Sequence, residues 1–174
     1  LQDIGIYCLN AARYVTGEEP VEVTAMEHRP RDIPRFREVP AGVAFQLRFA
    51  SGVLAHCDCS FDAAESRRYR VHGTDGFLDL DPAFGYRRLR LAVGRPTGRE
   101  QVNLPEVNHF AAEMDHFSEC VLHDREPRTP GAEGLADMRV IAAVEEAARA
   151  NRTVPLPPAD APRPDVRRGV RAAD

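Results

Sequence analysis

Asp3 and Tyr7 are the residues of this chain best suited by type and spacing to move a proton. They stand four apart, so on a helix they share one face. Asn10 and Tyr14 extend that face by further turns, with Arg13 beside them. A polar and aromatic ridge near a helix N-terminus suits a hydroxylated ligand. The amides there are free, and the helix dipole favours developing negative charge. A tyrosine hydroxyl can give a proton to a ligand oxygen or take one from it. A phenol ordinarily titrates near about 10, so that work wants a cation close by. The 23 basic residues of the chain are all arginine, which leaves Arg13 or another arginine for the task. The lack of lysine also removes Schiff-base, P-loop and lysine general-acid chemistry. The plainer alternative makes Asp3 a helix N-cap and Tyr7 a packed aromatic.

Other constellations are weaker. No GxGxxG follows a strand, and Gly94-x-x-x-Gly98 lacks both a third glycine and a helix pattern behind it. His109, His116 and His123 recur every seven residues. Steps of about 10 Å are too long for two of them to share a metal. His56, Asp58 and Ser60 project from one strand face, where a polar subunit contact is expected rather than a metal. Cys57-Asp58-Cys59 also lies in a strand and matches no disulfide framework or CxxC pattern. Reduced, buried thiols are expected. Arg48, Arg68, Arg70, Arg88 and Arg90 could meet nucleic acid or another acidic partner, but few aromatics accompany them, and a solvated or subunit-facing sheet is expected instead.

The elements that must carry these residues follow from periodicity. Ile4, Cys8, Ala11, Ala12 and Val15 predict a helix over 4–16, stopped by Gly17. The period then changes to two. Val21 and Val23 begin a strand, and Val43, Phe45, Leu47 and Phe49 alternate through a second. Further strands follow around Val53–Phe61, Tyr69–Val71 and Leu89–Val93. Ala50-Ser51-Gly52 and Gly73-Thr74-Asp75-Gly76 are turns between them. Phe110, Met114, Phe117 and Val121 stripe one closing helix. Leu135, Met138, Ile141, Val144 and Ala148 stripe another, with Thr129 as N-cap and Pro130 as first residue. The expected fold is α+β: two layers, a mostly antiparallel open sheet with helices on one face. One domain is expected over 1–155, followed by a Pro/Arg-rich tail over 156–174.

A net charge of −4 gives no nucleic-acid signature, and no apolar run is long enough for a membrane span. Cysteine usage favours the cytoplasm, with the periplasm also open.

The order of motifs resembles one family. Asp3-Ile-Gly-Ile-Tyr7-x-Leu9-Asn10-x-x-Arg13-Tyr14-x-x-Gly17-Glu18-Glu19-Pro20 is followed by Phe49-x-Ser51-Gly52-x-Leu54-x-His56. Asp81-Pro82-Ala83-x-Gly85-Tyr86, Asp115-His116 and Pro130-Gly131-x-Glu133-Gly134-x-x-Asp137 come next in the same order. Together they resemble the C-terminal domain of the glucose–fructose oxidoreductase / inositol dehydrogenase family over roughly residues 1–155. The resemblance implies an α+β domain that normally follows a Rossmann domain absent from this chain. It implies hydride transfer between NADP or NAD, bound mainly by that missing domain, and a sugar or cyclic polyol. It places the family's acid/base residue on Tyr7 and its conserved aspartate on Asp3. Tyrosine rather than histidine there points to the glucose–fructose oxidoreductase branch. Asn10, Arg13 and Tyr14 are expected to line the substrate, and the sheet face to form a homo-oligomer. No nucleic-acid or membrane partner is expected. The chain by itself is expected to be inactive. The competing expectation is a non-enzymatic dimerisation or acidic-partner module.

Overall fold

Alternating apolar side chains build the first sheet. In β2 (Gly42–Phe49), Val43, Phe45, Leu47 and Phe49 are buried while Ala44, Gln46 and Arg48 face out. β2 pairs antiparallel with β1 (Pro20–His28) on one side and β3 (Leu54–Ser60) on the other. Val23, Leu47 and Ala55 are therefore cross-strand neighbours, as are Ala25, Phe45 and Cys57. A short β8 (Val154–Pro155) completes the order β3-β2-β1-β8. The β2–β3 turn closes with Gly52 N–H donating to the Phe49 carbonyl at 2.9 Å. Gly52 sits at φ 91°, a conformation that side chains disfavour.

Two helices cover one face of this sheet. α1 (Gly5–Thr16) lies over β3, and α3 (Gly131–Ala150) lies over β1. Leu9 from α1 and Val140, Ile141, Val144 and Ala147 from α3 meet Val23, Phe45, Leu47 and Phe49 in one core. Complete burial of each large apolar side chain there stabilises by about 1.5–3 kcal/mol.

The computed structural model describes residues 1–157. From 158 onward, the tail expected over 156–174 lies outside the described residues. The chain divides into two compact units. The unit above takes Leu1–Ala63 and the chain from Arg128, and Ala64–Pro127 forms the other. The second unit has its own antiparallel sheet, β4 (Tyr69–His72), β5 (Phe77–Leu80), β6 (Leu91–Arg95) and β7 (Gly98–Val102), in sequential order. The α+β class and antiparallel pairing stand as expected. The single sheet becomes two, because β4 finds its partner in β5, a strand of only four residues.

α2 (His109–Leu122) follows, capped by Asn108, whose side-chain oxygen accepts from Ala111 N–H at 3.2 Å. Its stripe does not enter a core: Phe110, Met114, Phe117 and Val121 are all more than half exposed. Phe110 meets Tyr86, with ring centroids 4.9 Å apart. Leu135 and Met138 of α3 are likewise exposed, while Val140 and Ala143 are buried. The α3 cap is Pro130 rather than Thr129, one residue later than expected.

Candidate active site

Each turn of α1 holds a different part of the ridge. Leu9 is buried in the core, which turns Tyr7 and Tyr14 outward, at 47% and 42% exposure. The helix stops where Gly17 adopts φ 71° and donates to the Arg13 carbonyl at 2.9 Å.

Asp3 does not cap the helix. Its first helical residue is Gly5, Ile4 stands at the cap position, and no side chain accepts there. The first amides turn to backbone instead: Ile6 N–H donates to the Leu1 carbonyl and Tyr7 N–H to that of Ile4. Asp3 is thus left exposed ahead of the helix. It lines a groove of about 440 Å3, with Glu145 and Arg149 of α3 and with Val39 and Phe61. Tyr7 lies outside that lining, on the flank of α1. Arg29 and Arg149 are the cations that line this groove, and Arg149 stands in the last turn of α3.

Arg13 does not line the groove that Asp3 lines. It is wholly buried, against the expectation that it meets substrate. Its Nε and Nη2 donate to the two Glu19 oxygens at 2.8 and 2.6 Å. Its Nη1 reaches Asp137, and Glu133 Oε1 lies 3.2 Å away. Burial opposes the charged form, but the Glu19 hydrogen bond and the charges of Asp137, Glu19 and Glu133 outweigh it and push the Arg13 pKa up.

Asn10 is half-buried and joins the same cluster, donating to Asp137 Oδ2 at 3.0 Å. The Gly17-Glu18-Glu19-Pro20 run therefore has two mechanical tasks. Glu19 clamps Arg13, and Glu18 accepts from the Ser51 amide at 3.1 Å, tying the β2–β3 turn to the end of α1. Sequence reading placed Glu19, Glu133 and Asp137 in the family-like motifs but gave them no role. The i, i+4 spacing of two acids on α3 was the available signal.

The four cysteines are free thiols, Cys120 buried and the others half-buried. Cys8 donates to the Asp58 carbonyl at 3.5 Å. Burial, then the neighbouring Cys59 and Asp58, push the Cys8 thiol up to about 11. Burial does the same for Cys57, to about 12. These sulfurs are poor nucleophiles and poor ligands at neutral pH. No group of three or more metal-binding side chains occurs among the described residues.

The open face of the first sheet carries a second groove, of about 510 Å3, lined by Thr24, Met26, Gln46, His56, Asp58 and Arg152. Gly94 and Gly98, the nearest approach to a dinucleotide fingerprint, lie in the β6–β7 hairpin, not between a strand and a helix. The described residues thus lack the strand-to-helix glycine turn that cradles a pyrophosphate. Among them, no helix is long and apolar enough to cross a membrane.

Residues 1–79 match the GFO/IDH/MocA C-terminal domain. The chain is 33% identical over 160 residues to D-xylose 1-dehydrogenase [NADP(+)] of Haloarcula marismortui, an alignment covering 90% of this chain and 43% of that protein. Its fold overlays the aldose-aldose oxidoreductase of Caulobacter crescentus, solved with glycerol, at a TM-score of 0.84 and 46% identity. That overlay covers 88% of this chain and 46% of the other. A 3-ketoreductase from Actinomadura kijaniata, solved with NADP and TDP-benzene, overlays at 0.73 and 26% identity, over 83% of this chain and 44% of the other. The chain spans less than half the length of each of these proteins.

Proposed function

The chain carries the C-terminal domain of the GFO/IDH/MocA family, and from that premise we propose that it forms the substrate side of an NAD(P)-dependent sugar oxidoreductase. The substrate is an aldose or related polyol, in keeping with the dehydrogenase and oxidoreductase it resembles. The described residues do not fit a dinucleotide, so NADP or NAD is held by a Rossmann domain beyond them. The nicotinamide supplies the hydride chemistry, and this chain handles the sugar and the proton.

The observation that carries the reading is the split character of α1. Leu9 and Arg13 lock the helix into the fold, while Tyr7 and Tyr14 are held outward on the same rigid element. Tyr7 exchanges a proton with the reacting sugar hydroxyl, directly or by relay. Asp3, in the groove it shares with Arg29 and Arg149, accepts hydrogen bonds from the sugar and fixes its orientation. Asn10 and Tyr14 border the site, and Arg13 positions α1 rather than touching sugar. The open face of the first sheet joins two copies into a homo-oligomer, with the Gln46 and His56 groove inside the contact.

A fluorescence titration with NADPH and NADH tests this division of labour. The 174-residue chain is compared with the same chain extended upstream to the length of its relatives. Binding by the longer protein alone is expected. Tight binding by the 174 residues would overturn the assignment of the cofactor to another domain. Failure of both to bind would favour the non-enzymatic dimerisation module.

A further inference from the structure

The second sheet presents one face on which arginines outnumber their partners. Residues directly opposite across its strands share a face, so Arg70, Asp79, Ala92 and Gln101 form one row. Phe77, Gly94 and Arg99 lie in the next row. β6 thus contributes only Ala92 and Gly94, and side chains from the neighbouring strands close over both: Ala92 is 2% exposed and Gly94 is buried.

Phe77 and Asp79 hold the arginines of this face. The Phe77 ring lies over Gly94, so close that a Cβ at Gly94 would come within 2.1 Å of it. The Arg70 guanidinium in turn lies over Phe77, 3.8 Å from the ring centroid. Arg70 is therefore raised above the sheet by an aromatic ring that is itself seated on glycine. Its ring contact uses the guanidinium face and leaves the N–H edge for a ligand. Among the described residues Arg70 has no ion pair.

Asp79, only 5% exposed, organises the other two arginines. Its oxygens accept from Arg68 Nε and Nη2 at 2.8 and 2.9 Å, a complete fork. Arg99 Nη2 makes only a long contact with Asp79, 3.5 Å. The hydrogen bond from Arg68, with the charges of Arg68, Arg70 and Arg99, holds the Asp79 carboxyl below its ordinary range. Asp81 adds a second negative charge felt by Arg68. Three guanidinium groups thus face two carboxylates, and Arg68 takes most of what those acids offer. Arg70 and Arg99 both stand close enough for their charge to act on Asp79, and both keep unspent donors.

We propose that Arg70 and Arg99, held over β5 and β6 by Phe77 and Asp79, form a recognition site for a phosphate monoester. Two guanidinium groups on separate strands approach from different directions. A phosphoryl group offers three oxygens outside one plane and can accept from both. A carboxylate has two coplanar oxygens and is satisfied by one fork. The site is independent of Asp3 and Tyr7 and does not rest on the sugar-oxidoreductase reading.

Isothermal titration of the 174-residue chain at about 0.15 M salt tests it. The probes are inorganic phosphate, glucose 6-phosphate, glucose, gluconate and heparin. Both phosphorylated probes are expected to bind, and glucose and gluconate to give no heat. Arg70→Gln and Arg99→Gln are each expected to weaken glucose 6-phosphate binding by about tenfold or more, the loss of one charged fork. Arg95→Gln, whose side chain leaves the opposite face of β6, is expected to change nothing. Unfolding temperature reports whether each variant keeps its fold, and the two single variants act as independent checks. Gluconate binding as well as glucose 6-phosphate would overturn the proposal. So would unchanged affinity in a folded Arg70 or Arg99 variant. Heparin binding with equal sensitivity to Arg95 would reduce the face to a general polyanion surface and also overturn it.

Discussion

Arg13 and Asp137, 124 residues apart in sequence, form a buried ion pair that fastens the first helix of the domain to the last. Glu19 and Glu133 complete the shell around the guanidinium, so one side chain joins the start, the middle and the end of α1's surroundings. Removing one partner of such a cluster leaves uncompensated charge in the interior.

Arg13→Met should therefore destabilise the chain by about 3–5 kcal/mol, read as a fall in the urea midpoint. Asp137→Asn, which keeps the shape and leaves Glu19 to pair with Arg13, should cost less. A smaller loss for Arg13→Met than for Asp137→Asn would remove Arg13 from the centre of the cluster.

Gly94 tolerates no side chain. A Cβ there meets three atoms of the Phe77 ring at 2.1–2.6 Å. Gly94→Ala should destabilise the second unit by about 1–3 kcal/mol. Combining it with Phe77→Ala should recover part of the loss relative to the two single changes added together, measured by thermal unfolding.

The thiols set a high-pH limit. Cys8 titrates near 11 and Cys57 near 12 in the fold, against 9.0 for both unperturbed. A folded pKa above the unfolded one means the thiols favour folding fully below pH 9.0 and lose that contribution as pH rises to about 11 and 12. Cys8→Ser with Cys57→Ser should flatten the decline of the unfolding midpoint across that window. Alkylation of both thiols should be slow at neutral pH and match the free-thiol rate only after denaturation.

Asp79 sets the opposite limit. Its folded pKa lies below the unfolded value of 3.8, chiefly through the Arg68 hydrogen bond. Its contribution is present above the unfolded value and lost as pH falls through the folded one. Asp79→Asn should lower the unfolding temperature at neutral pH, and the gap to the parent should close in strong acid. A gap of constant size across the acid range would mean the Arg68 pairing contributes nothing.

Local rules carried much of the fold. The strict alternation of β2 and the glycine after α1 appear in the sequence as they appear in space. The division into two sheets was hidden because β5 is Phe-Leu-Asp-Leu, too short and too apolar to show a period of two. The 3.6-residue stripe of α2 correctly predicts a helix, but a stripe does not say what will cover it, and Met114 and Phe117 stand exposed. At the candidate site, the Asp3 and Tyr7 spacing was legible, but the cap was not. Backbone carbonyls of Leu1 and Ile4 took the amides that Asp3 was expected to satisfy. The burial of Arg13 was hidden for a different reason: the acids that surround it come from α3 and from beyond Gly17, and pairing across 124 residues leaves no periodic trace.

Steady-state kinetics of Tyr7→Phe, made in the oxidoreductase extended to the length of its relatives, test the central claim most directly, with an aldose as varied substrate. The hydroxyl is removed while the ring and the packing of α1 remain. Turnover should fall by roughly 10²-fold or more, the scale of a lost acid/base group, with the affinity for NADPH nearly unchanged. A turnover equal to that of the parent enzyme would contradict Tyr7 as the proton-transfer residue.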